Sequence, residues 1–236
     1  MASEDNDYQT AGGVKSDGVI TSMDYSSKLR QFAYASSDGN AYVHEFSTRA
    51  KTMDMVCSLV GHTSVVTCVK WNFANEKWIT SSEDGNIKVW ATNGDCIMTL
   101  WNKEPVTTLC IDQINGCIVA GVDKTLRVYE IFEYKLIQSN VGHTDQIRAV
   151  LHLPEPRNQY VTCSWDRTLR IWNTVRMGSK MKANLQSLQE SLASGSEKAT
   201  SEGAKSEKGA ENNEESKQEQ VSKNETVVPN EIEAAA

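Results

Sequence analysis

Apolar and polar residues alternate along short segments between about residue 18 and residue 173, and turn-forming residues separate these segments. The clearest example is the stretch 142–173, where a loop joins two alternating segments. The residues that share a face are apolar: Ile147, Ala149 and Leu151 in the first segment, Leu169 and Ile171 in the second. Alternation with period two is typical of half-buried β-strands. We therefore predict an all-β fold for this part of the chain.

The unit recurs with a period near 40 residues. A turn centred on an aspartate occurs four times, at Asp38, Asp84, Asp123 and Asp166, with spacings of 46, 39 and 43. Six residues after these aspartates stand His44, Trp90, Tyr129 and Trp172. Gly-His pairs end at His62 and His143, 81 residues apart, and Trp101-Asn102 stands where a middle pair is expected. Such a period, with Gly-His and a Trp-ended strand, is typical of a four-stranded propeller blade.

These residues resemble the WD-repeat (WD40) family over about two thirds of the chain. The second and fourth repeats match strongly, whereas the first has His44 in place of Trp and the third lacks the Gly-His pair. The strand count is four, four, four and three, so the fourth blade lacks its outer strand. The resemblance suggests seven blades as the usual number, completed by a strand from the chain's beginning, for which residues 1–17 are a poor candidate. We predict about four WD-type blades that form a partial propeller.

Composition divides the chain into a flexible lead (1–17), the blades (18–173) and a tail (174–236). The tail contains no aromatic residue and is rich in Ser, Glu, Lys, Asn and Ala. Such a sequence cannot bury enough apolar area to offset the entropy of ordering, which predicts disorder. One stripe with helical spacing interrupts it and predicts a short helix at 179–194. The stripe consists of Met181, Leu185, Leu188 and Leu192.

Charge and cysteine usage exclude several classes of function. The net charge is −7, and the tail contains 8 basic and 11 acidic residues, so the rest of the chain, residues 1–173, carries −4. Neither part has the basic surface typical of nucleic-acid binding. The six cysteines form no CxxC pair, which favours small buried side chains in a reducing compartment over a metal site. We predict no cofactor and no metal. Without a signal peptide or an 18-residue apolar segment, the expected location is the cytoplasm or nucleus, away from membranes.

The repeated polar residues invite a catalytic interpretation, because a hydroxyl, a histidine and an aspartate could form a triad. The resemblance instead implies a structural hydrogen-bonded network in each strong repeat. The first set is His62, Asp84, Trp90 and a hydroxyl from Thr80 or Ser82; the second is His143, Asp166, Trp172 and a hydroxyl from Thr162 or Ser164. An active site needs one copy, not two, so we predict a structural role and no enzyme activity.

The resemblance also implies a partner-binding face, because the residue before the turn aspartate tends to lie on the top face of the propeller. Trp165 and Glu83 hold this position, and Val65 and Gln146 precede the first strands of the same repeats. An exposed Trp would suit a binding hot spot, with packing against a neighbouring blade as the alternative. The leading hypothesis is therefore a non-enzymatic scaffold that binds other proteins.

The alternative hypothesis is that the chain forms part of a larger propeller and needs a second copy or another partner to close it. In that case the two ends of the array stay open. We expect open faces around Tyr25 and Phe32 at one end and around Ile147 and Ile171 at the other. Self-association through these edges is then expected.

Overall fold

The computed structural model describes residues 13–47, 52–174 and five further residues, Ala183, Asn184, Gln186, Ser187 and Glu190. Fifteen strands in this part of the chain form four antiparallel sheets with four, four, four and three strands. Each sheet is a meander in which consecutive strands pair. The prediction of an all-β partial propeller with a three-stranded fourth blade is confirmed.

The strand bounds are as follows. The first sheet contains β1 (Ile20–Ser26), β2 (Gln31–Ser36), β3 (Asn40–Ser47) and β4 (Thr52–Val60). The second contains β5 (Val66–Asn72), β6 (Lys77–Ser82), β7 (Asn86–Trp90) and β8 (Cys96–Trp101). The third contains β9 (Val106–Ile111), β10 (Ile118–Val122), β11 (Thr125–Tyr129) and β12 (Leu136–Val141). The fourth contains β13 (Ile147–Leu153), β14 (Gln159–Ser164) and β15 (Leu169–Asn173).

The repeated aspartates lie in the turns between the second and third strands of each sheet. In the second sheet Gly85 follows Asp84 with φ of 81°, a conformation that an L side chain rarely adopts. An added Cβ there would also lie 2.5 Å from the Asn102 carbonyl oxygen, so the turn fits closely beneath the next sheet's loop. The corresponding turn of the third sheet is one residue shorter, and Asp123 itself takes a positive φ of 48°.

The hydrophobic core lies between consecutive sheets, which pack face to face. Three clusters of buried side chains fill the junctions of the first with the second, the second with the third, and the third with the fourth sheet. A threonine hydroxyl crosses each junction: Thr21 donates to the Val66 carbonyl at 2.5 Å, Thr67 to Val106 at 2.7 Å and Thr107 to Ile147 at 2.6 Å. The first strands of the four sheets are thereby aligned side by side.

The predicted apolar face of the strand β13 is wrong. Ile147 was predicted to share a face with Ala149 and Leu151, but Ile147 is fully buried against the third sheet and Leu151 is 58% exposed. The register of β13 with β14 shifts between Ile147 and Ala149, which marks a β-bulge. An extra residue in one strand reverses the alternation beyond it, so the two sides of the bulge face opposite ways. Ile147 therefore does not belong to the open end.

The two end sheets present apolar side chains to solvent. Tyr25 in the first sheet is 56% exposed and Ile171 in the fourth is 64% exposed, as expected for open ends, whereas Phe32 is half-buried. The five described residues beyond Thr174 are helical and fall inside the predicted 179–194 segment, but its apolar stripe lies outside the described residues. No helix in the described part is long and apolar enough to cross a membrane.

Candidate functional site

The second sheet holds a buried chain of hydrogen bonds that begins at Asp84. His62 Nδ1 lies 3.0 Å from Asp84 Oδ2, and His62 Nε2 lies 2.8 Å from Thr80 Oγ1. Trp90 Nε1–H donates to the same Thr80 oxygen at 2.8 Å. Because the indole can only donate, the consistent assignment is that Thr80 donates to Nε2 and Nδ1–H donates to Asp84. Both ring nitrogens of the histidine are therefore paired.

The fourth sheet repeats this arrangement. His143 bridges Asp166 Oδ2 and Thr162 Oγ1, both at 2.7 Å, and Trp172 Nε1–H donates to Thr162 at 2.8 Å. The same aspartate oxygen accepts the Thr144 N–H at 3.1 Å, which fastens the loop to the turn. The two sets therefore share one geometry in the two repeats that match the family pattern most strongly.

The alternative hydroxyls serve the turns instead. Ser82 Oγ donates to the Ser64 carbonyl at 3.2 Å and accepts the Asp84 N–H at 3.1 Å. Ser164 does the same with the Asp145 carbonyl, at 2.7 Å, and with the Asp166 N–H, at 3.1 Å. Thr80 and Thr162 are thus the hydroxyls that the structure brings to the histidines.

The electrostatics of the second sheet favour a neutral histidine beside an ionised aspartate. Burial lowers the pKa of His62 below its ordinary value, although Asp84 opposes this. Burial alone would raise the pKa of Asp84, but the N–H groups of Thr63 and Asn86 and the His62 hydrogen bond outweigh it and lower the pKa. The His62 and His143 side chains have no exposed surface. No substrate can reach these imidazoles in this arrangement.

The third sheet replaces the network with a different one. Asn102 Oδ1 stands where the histidine would and accepts hydrogen bonds from Arg127 Nη1 at 2.5 Å and from the Tyr129 hydroxyl at 2.6 Å. Asn102 and Tyr129 were placed at these repeat positions from the sequence, but their contact was not predicted. Arg127 carried no sequence signal beyond its place two residues before Tyr129.

The first sheet has no such network among its described residues. His44 occupies the Trp position, is 4% exposed, and stacks against Phe32 and Tyr34 with ring centroids 5.6 Å apart in both pairs. Within the described ranges neither nitrogen of its ring has a hydrogen-bond partner. Burial lowers the pKa of His44 accordingly.

The four residues of the predicted partner face lie at one end of the sheets. They form two backbone pairs: Glu83 N–H donates to the Val65 carbonyl and Trp165 N–H donates to the Gln146 carbonyl, each at 3.1 Å. Glu83 is exposed, Val65 and Gln146 are partly exposed, and Trp165 is 62% exposed. Trp165 is therefore not buried against a neighbouring blade in the part of the chain that the structure describes.

A concavity of about 520 Å³ is lined by three of these four residues, Val65, Glu83 and Gln146, and Trp165 adjoins it through its contact with Arg148. Residues from all four sheets line it: Thr21, Ser64, Val65, Thr67, Glu83, Pro105, Thr107, Gln146 and Arg148. Arg148 lies 4.6 Å above the centroid of the Trp165 ring and donates to the Gln146 side chain at 3.2 Å. Arg148 was not predicted from the sequence, because its contact with Trp165 joins β13 to the turn after β14 and leaves no short-range pattern.

The described residues contain no cluster of three or more His, Cys, Asp or Glu side chains placed to hold a metal ion. All six cysteines are unpaired. Burial raises the pKa of the Cys110 thiol to about 11 and that of Cys117 to about 12, which makes both poor nucleophiles at neutral pH.

Comparison with known families identifies two of the repeats. Residues 53–91 and 134–173 match the family model for the WD domain, G-beta repeat. These two ranges contain every residue of the two complete His-Asp-Thr-Trp sets.

Several named proteins are similar to this chain over part of their length. A ribosome biogenesis protein WDR12 homolog from Trichoplax adhaerens is 31% identical over 143 residues, which is 59% of this chain and 29% of that protein. The serine-threonine kinase receptor-associated protein from Homo sapiens is 31% identical over 129 residues, 53% of this chain and 36% of that protein. The chain thus spans about a third of the length of these two relatives.

Solved structures share the fold. The computationally designed Ika4 protein superposes with a TM-score of 0.60 and 22% identity, over 71% of this chain and 99% of that one. The computationally designed Ika8 protein superposes with a TM-score of 0.55 and 23% identity, over 66% of this chain but 46% of that one. At this identity the likeness concerns the fold alone.

Proposed function

We propose that this chain, two segments of which match the WD-repeat family model, is a non-enzymatic scaffold that binds other proteins through the loops at one end of its sheets. The observation that carries the proposal is the concavity to which all four sheets contribute. Its residues come from rigid strand ends and tight turns, so the surface is formed before a partner arrives. Preorganisation of this kind reduces the entropic cost of binding.

Trp165 and Arg148 are the proposed anchor of this surface. Trp and Arg are the residue types that most often dominate the energy of a protein interface. Here the guanidinium already stacks on the indole, so neither side chain has to be ordered when a partner binds. Glu83 and Arg148 bring opposite charges to one concavity, which suits a peptide segment that carries both signs.

The burial of the histidine sets supports a role without catalysis. Each imidazole uses both nitrogens within the fold, and Thr80 and Thr162 are fully buried. A nucleophilic hydroxyl must reach its substrate, which these two do not. We infer that the sets stabilise the loops that form the concavity.

The partners that we propose are proteins rather than nucleic acids, because the net charge is −7 and the concavity is not basic. The relatives' names refer to ribosome biogenesis and to association with a kinase receptor, two settings in which proteins assemble with other macromolecules. A cytoplasmic or nuclear location fits both.

The test is affinity purification from cell extract with quantitative mass spectrometry, using wild type, Trp165→Ala and Phe73→Ala. Phe73 is the matched control, because it is an aromatic residue that is 45% exposed and follows β5 at the opposite end of the strand from Val65. We expect Trp165→Ala to lose a set of proteins that wild type and Phe73→Ala both retain. Equal recovery of every protein by all three would contradict the proposal, provided that circular dichroism shows the variants folded.

A further inference from the structure

The three internal junctions share one pattern of burial. Each of the first three sheets turns three apolar side chains toward the next sheet, and all nine are 0–1% exposed. The strand register makes them equivalent: Ala33, Ala41 and Val43 in the first sheet, Ile79, Ile87 and Val89 in the second, Val119, Leu126 and Val128 in the third. The outgoing face of a sheet, which is the face turned toward the next sheet in the chain, is therefore covered in each of the first three sheets.

The outgoing face of the fourth sheet has the same chemistry but is open. The equivalent residues are Val161, Leu169 and Ile171, since β14 and β15 pair in the same register. Val161 is half-buried, whereas Leu169 is 73% and Ile171 is 64% exposed. Leu151, beside them on β13, is 58% exposed. A continuous aliphatic surface of this kind is typical of an interaction site.

The incoming face of the first sheet is open in the same way. Its first strand presents Ile20, Met23 and Tyr25, which are 49%, 74% and 56% exposed. The equivalent residues of β5 and β9 are buried, with exposures of 0–9%: Val66, Val69 and Trp71, and Val106, Leu109 and Ile111. The described sheets thus begin with an uncovered incoming face and end with an uncovered outgoing face.

We propose that a second copy of this chain covers both faces, so that the fourth sheet of each copy packs on the first sheet of the other and the two complete an eight-bladed ring. The occupant is a second copy because each face has the chemistry of the internal junctions that this same chain forms three times. Two copies related by a two-fold axis satisfy both faces at once and leave none open. Eight blades lie within the range of about four to eight that propellers adopt.

One residue departs from the internal junctions. Thr21, Thr67 and Thr107 donate across them, and the bulge register places Arg148 at the equivalent position of the fourth sheet. A guanidinium is also a donor, so the hydrogen bond to the Ile20 carbonyl of the second copy would come from Arg148. The new junction thus keeps the donor but changes its chemistry.

The test measures the mass of the full 236-residue chain by light scattering and native mass spectrometry. We expect wild type at twice the monomer mass of 26.2 kDa. Ile171→Lys and Met23→Glu each place a charge in both junctions, and each should raise the dimer dissociation constant about a hundredfold or more. Ile97→Lys is the matched control on the outer strand β8, where Ile97 is 46% exposed and outside both faces, and it should remain dimeric.

Mixing the Ile171→Lys and Met23→Glu variants makes the test specific for the ring. In the mixed pair one junction is wild type, and the other brings the introduced lysine of one copy against the introduced glutamate of the other. Because these charges are opposite, equimolar Ile171→Lys and Met23→Glu should recover the dimer. Leu169→Lys with Tyr25→Glu provides a second pair if either single variant does not fold.

Three results would overturn the proposal. A folded wild type that stays monomeric would mean that further blades or another protein cover these faces. A dimer that Ile171→Lys abolishes and Met23→Glu leaves intact would mean that two fourth sheets meet each other. A mass that rises continuously with concentration would mean an open polymer instead of a closed ring.

Discussion

Thr80→Val is the sharpest perturbation of the His-Asp-Thr-Trp network, because it replaces one buried hydroxyl by a methyl group of similar size. In the wild type the Thr80 oxygen accepts from Trp90 Nε1–H and donates to His62 Nε2, both at 2.8 Å. The substitution leaves both groups buried and unpaired. Each such group costs about 1–3 kcal/mol, so the free energy of unfolding should fall by about 2–6 kcal/mol.

The fourth sheet provides an internal comparison. Thr162→Val removes the same two hydrogen bonds, but Trp172 is only partly buried, so water can replace one of them. We expect a loss of about 1–3 kcal/mol there. The predicted order, with Thr80→Val more destabilising than Thr162→Val, follows from burial alone.

The assay is urea denaturation followed by tryptophan fluorescence at one protein concentration, together with the melting temperature. For a protein of this size 1 kcal/mol corresponds to about 2–4 °C. Thr80→Ser restores the hydroxyl and loses one methyl group, which costs about 1 kcal/mol. Thr99→Val is the control at an exposed threonine of β8. If Thr80→Val and Thr99→Val destabilise equally, the hydrogen-bond assignment is wrong.

Three further predictions concern His44, the buried histidines together and Gly85. His44→Phe should raise the free energy of unfolding by about 1 kcal/mol in urea denaturation. The reason is that it removes two buried ring nitrogens without hydrogen-bond partners among the described residues and keeps an aromatic ring stacked on Phe32. A loss of stability would contradict this. The free energy of unfolding should be highest above about pH 6.5 and should fall as the pH drops below this value. Burial lowers the pKa values of His62 and His44 in the folded protein, so the unfolded chain binds protons first as the pH falls. A urea midpoint that is unchanged between about pH 8 and about pH 5.5 would refute that. Gly85→Ala should lower the melting temperature by several degrees more than Gly13→Ala, since Gly85 has φ of 81° and a Cβ there would lie 2.5 Å from a backbone oxygen, whereas Gly13 has open space.

Local residue patterns were sufficient to predict the sheets, but only part of the networks that the sheets hold. Asp84, His62 and Trp90 stand at positions that recur along the chain, and the family resemblance implied that they form one network. The hydroxyl could not be chosen between Thr80 and Ser82, since residues two apart share a face of a strand and alternation treats them alike. The structure distinguishes the two hydroxyls, because Thr80 contacts His62 whereas Ser82 contacts the Ser64 carbonyl.

Other features depend on contacts between distant segments. The bulge that turns Ile147 inward arises from the pairing of β13 with β14, and the same pairing places Arg148 over Trp165. Neither residue type nor periodicity predicts such a shift. Similarly, Asn102 acquires its role from Arg127 and Tyr129, which lie 25 and 27 residues away along the chain.

The difference between Val89 and Ile171 shows where the sequence by itself stops. Both are β-branched residues at the same repeat position, and alternation in the sequence places each on the same strand face as the apolar residue two positions before it, Ile87 or Leu169. Val89 is fully buried because the third sheet packs over it. Ile171 is 64% exposed because no described sheet packs over it. Periodicity specifies which face of a strand is apolar, whereas burial depends on the neighbour that covers that face, and only the tertiary structure decides this.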